Sequence, residues 1–207
     1  KQNSLGTEPI GRLLLKFSVP TALTLMVNCL YNIVDQMFIG HAVGINGVAA
    51  TNVTFPIGIL AAALALLIGD GCAANISLHL GRREQAQADR TFGNAVVLLG
   101  IVSVLLSVCG WLFVDELVVF FGASPAVVAE SVQYMCILLL GQPFGMCNMA
   151  FTAIIRADGN PRYMMRSMML GAALNVVLDP IFIFVLKMNV AGAALATVLS
   201  QLISCIF

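Results

Sequence analysis

Asp35 and Asp179 each lie inside a long apolar stretch of this 207-residue chain. An ionisable group buried in hydrocarbon costs at least about 2.5 kcal/mol, so such a residue is a functional candidate by default. Their neighbours extend the pattern. Thr21, Thr24, Asn28, Asn32 and Asp35 recur at three- and four-residue intervals, which places them on one face of a helix. Ser167, Gly171, Asn175 and Asp179 recur at steps of four. Neutral polar residues that join membrane helices contribute only about 0.6 kcal/mol each, and that role needs no carboxylate. A desolvated pair of carboxyls can do more. Low dielectric disfavours the charged form, and a second carboxylate nearby disfavours it further. Such a pair can hold a proton near neutral pH. With Asn and Thr oxygens beside it, it can alternatively hold Na⁺, which needs only oxygen ligands. The residue types leave both open.

The elements that position these groups are membrane helices. The chain is 60% hydrophobic and only 10% charged, against roughly a quarter charged in soluble domains. Crossing the hydrocarbon core takes about 20 apolar residues in a helix. Residues 17–34, 40–69, 91–114, 131–155 and 188–207 contain no Asp, Glu, Lys or Arg, and residues 163–186 are interrupted only by Arg166 and Asp179. Six spans follow, near 13–40, 48–80, 91–114, 126–155, 163–186 and 190–207. The apolar runs do not alternate, which excludes barrel strands, and backbone groups in lipid are satisfied within helices. The predicted class is an all-α integral membrane bundle of six transmembrane helices in a single unit over 1–207. The first span reads as uncleaved. The absence of an initial Met and the apolar chain end read as trimming of a longer protein.

Charge placement gives the orientation. With six spans, nine of the ten basic residues (Lys1, Arg12, Lys16, Arg82, Arg83, Arg90, Arg156, Arg162 and Arg166) fall on one side and only Lys187 on the other. Positive residues mark the cytoplasmic side, so the amino terminus is expected in the cytoplasm and the protein in the plasma membrane as a multi-pass protein. The bilayer is then its first partner. A net charge of zero points away from nucleic acid. On this topology Asp35 and Asp179 both lie about 10 Å inside the outer boundary, at 1.5 Å per residue. Asn175, Tyr134 and Thr197 belong to the same outer half of the bundle, and two carboxylates at one depth can share a pocket.

Other residues carry weaker signals. Asp70, in Gly69-Asp70-Gly71, is either an inner-edge residue or part of a gate. Glu130, at the outer mouth, is expected to be solvated. Pro20, Pro56, Pro143 and Pro180 each remove a helical hydrogen bond and favour a kink. Gly141 and Gly145 form a small-xxx-small pair suited to close helix contact. The six cysteines sit in apolar runs without zinc spacing and read as small hydrophobes.

The run Asn175-Val-Val-Leu-Asp179-Pro180-Ile-Phe-Ile-Phe resembles the fifth-span signature of multidrug and toxic compound extrusion (MATE) transporters. The segments Val34-Asp35-Gln-Met-Phe-Ile-Gly40, Gly81-Arg82, Phe121-Gly-Ala-Ser-Pro125 followed by Tyr134, and Arg156-Ala-Asp-Gly159 fit the same pattern in the same order. The resemblance implies one six-helix lobe, the amino-terminal one, of a twelve-helix pseudo-symmetric transporter, with the second lobe missing or replaced by a homodimer partner. It also implies a secondary antiporter that exports small organic, often cationic, drug-like compounds in exchange for H⁺ or Na⁺. Asp35, Asp179, Asn175, Thr197 and Tyr134 would be the ion-coupling site, with Na⁺ at Asp35, Asp179, Asn175 and Thr197 as one form of it. Pro20 would be a hinge, and Thr24, Asn28 and Asn32 polar residues of the cavity. No catalytic residue and no cofactor beyond the coupling ion is expected.

Three rivals stand beside this reading. A lipid-linked sugar flippase of the same superfamily would line its cavity with basic residues, whereas those here cluster at the span ends. An intramembrane aspartyl protease would carry Gly-x-Gly-Asp, and Leu67-Ile68-Gly69-Asp70 lacks the first glycine. An isolated, non-transporting lobe or fragment is the fourth reading. The ten Met residues fit a polyspecific cavity and lipid contact equally well.

Overall fold

The computed structural model describes residues 9–207, so Lys1 of the charge tally lies outside the described part. The elements in order are α1 (Ile10–Ala42), α2 (Ile45–Gly81), α3 (Gln85–Leu112), α4 (Val114–Phe120), α5 (Val128–Ala157), α6 (Pro161–Pro180), a π-helical turn (Ile181–Val185) and α7 (Asn189–Ile206). Six of these are long and apolar enough to cross a membrane, with α6 and the π-helical turn forming one span. They match the six expected spans in order and extend most of them by a few residues. The short helix α4 was not expected. Its buried Val114 and Val118, one turn apart, pack on Ile57, Met135 and Leu139. Asp115 and Glu116, between the expected spans 91–114 and 126–155, occupy its first turn, where the helix dipole favours negative charge.

The helices alternate in direction, so the bundle has two ends. The basal end carries the start of α1 and the turns at residues 82–84 and 158–160. The apical end carries the turns at 43–44, 113–127 and 186–188. Outward surfaces are apolar. On α1 alone Leu14, Leu25, Met26, Leu30 and Met37 are all more than half exposed. Soluble proteins do not display such continuous apolar surface; a lipid-facing bundle requires it.

Small residues set the helix spacing. A Cβ on Gly69 would lie 2.7 Å from the Ala150 Cα, and one on Gly141 would lie 2.2 Å from Val198. The first contact brings α2 onto α5, the second α5 onto α7. Gly145 meets Gln201 in the same α5–α7 seam, so the Gly141/Gly145 pair does mediate close helix contact. At the basal end Ser167 and Ser204 each donate a hydroxyl to the other's backbone carbonyl, at 2.9 and 3.0 Å. The Asn148 amide donates to the Ser204 hydroxyl at 3.2 Å. These bonds tie α5, α6 and α7 together.

Candidate functional site

Helices α1, α5, α6 and α7 build a buried polar chamber in the apical half. Asp35 is one turn before Ile39, whose side chain is fully buried against α7 and the π-helical turn, and this anchors the end of α1. Asp179 is the penultimate residue of α6. Pro180, which follows it, has no N–H to continue the α-helical ladder. The helix widens into the π-helical turn, closed by the Leu186 N–H donating to the Ile181 carbonyl at 2.9 Å. Such turns recur at functional sites. Gly192 of α7 makes room for the turn, since a Cβ there would stand 2.9 Å from the Phe182 carbonyl carbon.

Asp179 is 0% exposed and Asp35 8%. Their carboxyl groups stand within electrostatic reach of each other. The Asn175 amide donates to Asp179 Oδ1 and to the Thr197 hydroxyl, both at 3.3 Å. The Gln36 amide donates to Asp35 Oδ2 at 3.4 Å, and the Gln36 carbonyl oxygen accepts from the Thr51 hydroxyl at 3.1 Å. Tyr134 is buried and, like Tyr31, stands within electrostatic reach of both carboxyls. Three buried oxygens have no hydrogen-bond partner: Asp35 Oδ1, Asp179 Oδ2 and Asn175 Oδ1. Among the described residues neither Asp pairs with a Lys, Arg or His. The chamber is therefore acidic, poorly hydrated and short of positive charge, which suits a proton or a hard monovalent cation and offers no soft ligand.

An apolar collar separates the chamber from the apical end. Ile39, Ile183, Val190 and Ala194 pack around Tyr134. Phe184 packs edge-on against Phe38 at 6.1 Å and near His41 at 6.2 Å.

Asp35, Asp179, Asn175, Thr197 and Tyr134 thus come together, with Thr197 half-buried. The other expected residues of α1 lie apart. Thr24 is buried, and its hydroxyl donates to the Pro20 carbonyl at 2.8 Å. Asn28 is half-buried and Asn32 exposed, and the Asn32 amide donates to the Asn28 carbonyl at 2.8 Å. Pro20 is buried within a continuous α1. Asp70 is exposed on α2, where the Arg156 guanidinium donates to it at 3.3 Å. Glu130 departs from its expected solvation: it is half-buried, and Oε2 is enclosed without a partner. The reason is its place one turn before Tyr134, on the side of α5 that packs inward. The described cysteines are free.

Sequence reasoning missed Tyr31, Gln36 and Thr51. Tyr31 was legible, four residues before Asp35 and hence on its face of the helix. The Gln36–Thr51 bond was not, because it depends on how α1 crosses α2.

A helical membrane bundle enclosing an uncompensated pair of carboxyls defines the class of this protein: a polytopic protein with an ionisable intramembrane centre. The particular family follows from comparison. Residues 20–181 match the MatE family model, and the chain belongs to that family. It is 29% identical over 207 residues to the FAD transporter of Shewanella oneidensis, covering 98% of this chain and 46% of the relative. It is 27% identical over 202 residues to the multidrug export protein MepA of Staphylococcus aureus, covering 96% and 44%. A crystal structure of a proline-to-alanine MATE mutant superposes with a TM-score of 0.91 at 30% identity, over 99% of this chain and 46% of that one. The chain spans about half the length of the curated relatives it matches, as one six-helix lobe of such a transporter does.

Proposed function

We propose that this chain is the ion-coupling half of a secondary active exporter in the plasma membrane, with its amino terminus in the cytoplasm. It exchanges small organic, often cationic compounds for H⁺ or Na⁺ by alternating access. The observation that carries this reading is the Asp35–Asp179 pair, buried together with three unpartnered oxygens and no basic partner among the described residues. Family membership supports transport as the activity.

In the proposed cycle a proton or Na⁺ enters from the apical, outer side and neutralises the pair. Asn175 and Thr197 orient the Asp179 carboxyl, and their oxygens complete a Na⁺ shell with Asp35 and Asp179. Gln36, braced by Thr51, holds the Asp35 carboxyl toward its partner. Neutralisation removes the repulsion between α1 and α6. Pro20 is the point where α1 can rebend with the smallest loss of hydrogen bonds, and bending favours outward release of the exported compound. The ion needs only different affinity for the two states. Asn28 and Asn32 line the α1 surface that faces the transport cavity, opposite a second lobe or a second copy of the chain, while Thr24 is buried on the Pro20 carbonyl.

A second reading concerns the cargo alone. The 29% identity to a protein named as an FAD transporter favours an anionic dinucleotide as an alternative to a cationic drug. Efflux of a cationic dye and of FAD should be measured in cells expressing the full-length protein and its Asp35→Asn variant. Loss of export in the variant is expected. Undiminished export would refute the ion-coupling role, and the transported compound decides the cargo.

A further inference from the structure

The basal end holds a groove between α1 and α6 that the ion site does not use. Its volume is about 700 Å³, and Arg12, Arg162 and Arg166 line it together with Leu15, Val19 and Met165. Arg162 and Arg166 are one turn apart and so share a face of α6. Arg12 and Arg162 lie within the first turn of their helices. All three arginines are exposed, and the described lining contains no carboxylate. Deeper along α1 the wall turns apolar. Leu15 is 66% and Val19 48% exposed, and the groove runs past Pro20 to Leu23.

We propose that this groove binds an anionic phospholipid, with the headgroup phosphate on the three arginines and an acyl chain along Leu15 and Val19. Two features select a lipid over a free anion. The three positive groups sit at the level of the cytoplasmic headgroups on the topology derived above, where long basic side chains reach the interface. The site continues into an apolar channel that a soluble phosphate would leave empty. Guanidinium groups suit phosphate because they present paired donors. The inference rests on membrane placement and stands apart from the transport reading. It puts a lipid contact on α1 beside its only internal proline.

The test is native mass spectrometry of the purified chain with added phosphatidylglycerol, phosphatidylcholine or inorganic phosphate. Phosphatidylglycerol is expected to bind at least about tenfold more tightly than phosphatidylcholine. An arginine near an anionic headgroup contributes about fivefold, so combined Arg162→Gln and Arg166→Gln should weaken it about 25-fold. Arg162→Lys with Arg166→Lys keeps the charge but loses the paired donors, and should weaken binding less than the glutamine pair. Val19→Trp fills the apolar channel without changing charge and should weaken the lipid in a chain that keeps its helical content. Equal binding of the two lipids overturns the proposal. So does binding unaffected by Val19→Trp or by the glutamine pair, or displacement of the lipid by inorganic phosphate.

Discussion

Replacing Asp35 with Asn tests the physical core of the ion site. Two ionised carboxylates roughly 4 Å apart in an effective dielectric of about 20 repel by about 4 kcal/mol. Asp35 and Asp179 are buried in one chamber, and the hydrogen bonds they accept from Gln36 and Asn175 are long, at 3.4 and 3.3 Å. Those bonds offset only part of the repulsion. A proton or Na⁺ between the carboxyls cancels it, so cation occupancy should stabilise the folded chain. By linkage, a cation at 100 times its Kd contributes about 2.7 kcal/mol. The assay is thermal unfolding in detergent while the concentration of H⁺ or of Na⁺ is raised, with choline replacing Na⁺ at constant ionic strength. The unchanged chain should gain stability with at least one of the two ions. Asp35→Asn removes one charge and therefore the repulsion, so its unfolding temperature should respond far less. Its stability without the ion should equal or exceed that of the unchanged chain. If neither ion moves the unchanged chain beyond the choline control, or if the variant responds equally, the electrostatic reasoning fails.

Packing predictions have opposite signs at two glycines of α2. Gly69→Ala drives a methyl into the Ala150 backbone and should cost about 1–3 kcal/mol, whereas Gly58→Ala meets nothing within 4 Å and should gain up to about 1 kcal/mol of helix propensity; both are read by thermal unfolding. Thr197→Val removes the hydroxyl that accepts from Asn175 and should weaken the ion response by about 1 kcal/mol, seen as a shift of the stabilising ion concentration by about fivefold. Ser167→Ala and Ser204→Ala each remove a hydroxyl donated to the other's backbone carbonyl and should each cost about 0.6 kcal/mol, the usual value for interhelical polar contacts in membranes, read by thermal unfolding. Pro20→Ala restores a backbone N–H to α1 and should raise the unfolding temperature while lowering export; unchanged export would remove Pro20 from the cycle.

Composition alone determined that this chain lives in a bilayer, because a helix-length run without charge has no stable place in water. Charge-free segment lengths located the six spans, and period-3.6 spacing assigned Asp35 and Asp179 to faces and depths that allow a meeting. That Asp35, Asp179, Asn175, Thr197 and Tyr134 share a depth was legible for that reason: depth along a membrane helix is nearly a linear function of position in the chain. Rotation and crossing are not. Asn32 and Asp35 share a stretch of α1, yet one is exposed and the other faces the chamber, and only the packing of α1 on its neighbours decided which. The Gln36–Thr51 bond, the burial of Glu130 and the gathering of Arg12 with Arg162 and Arg166 likewise depend on interhelical distances set by small residues such as Gly69, Gly141 and Gly192. Those distances are properties of pairs of helices, and no single segment of sequence contains them.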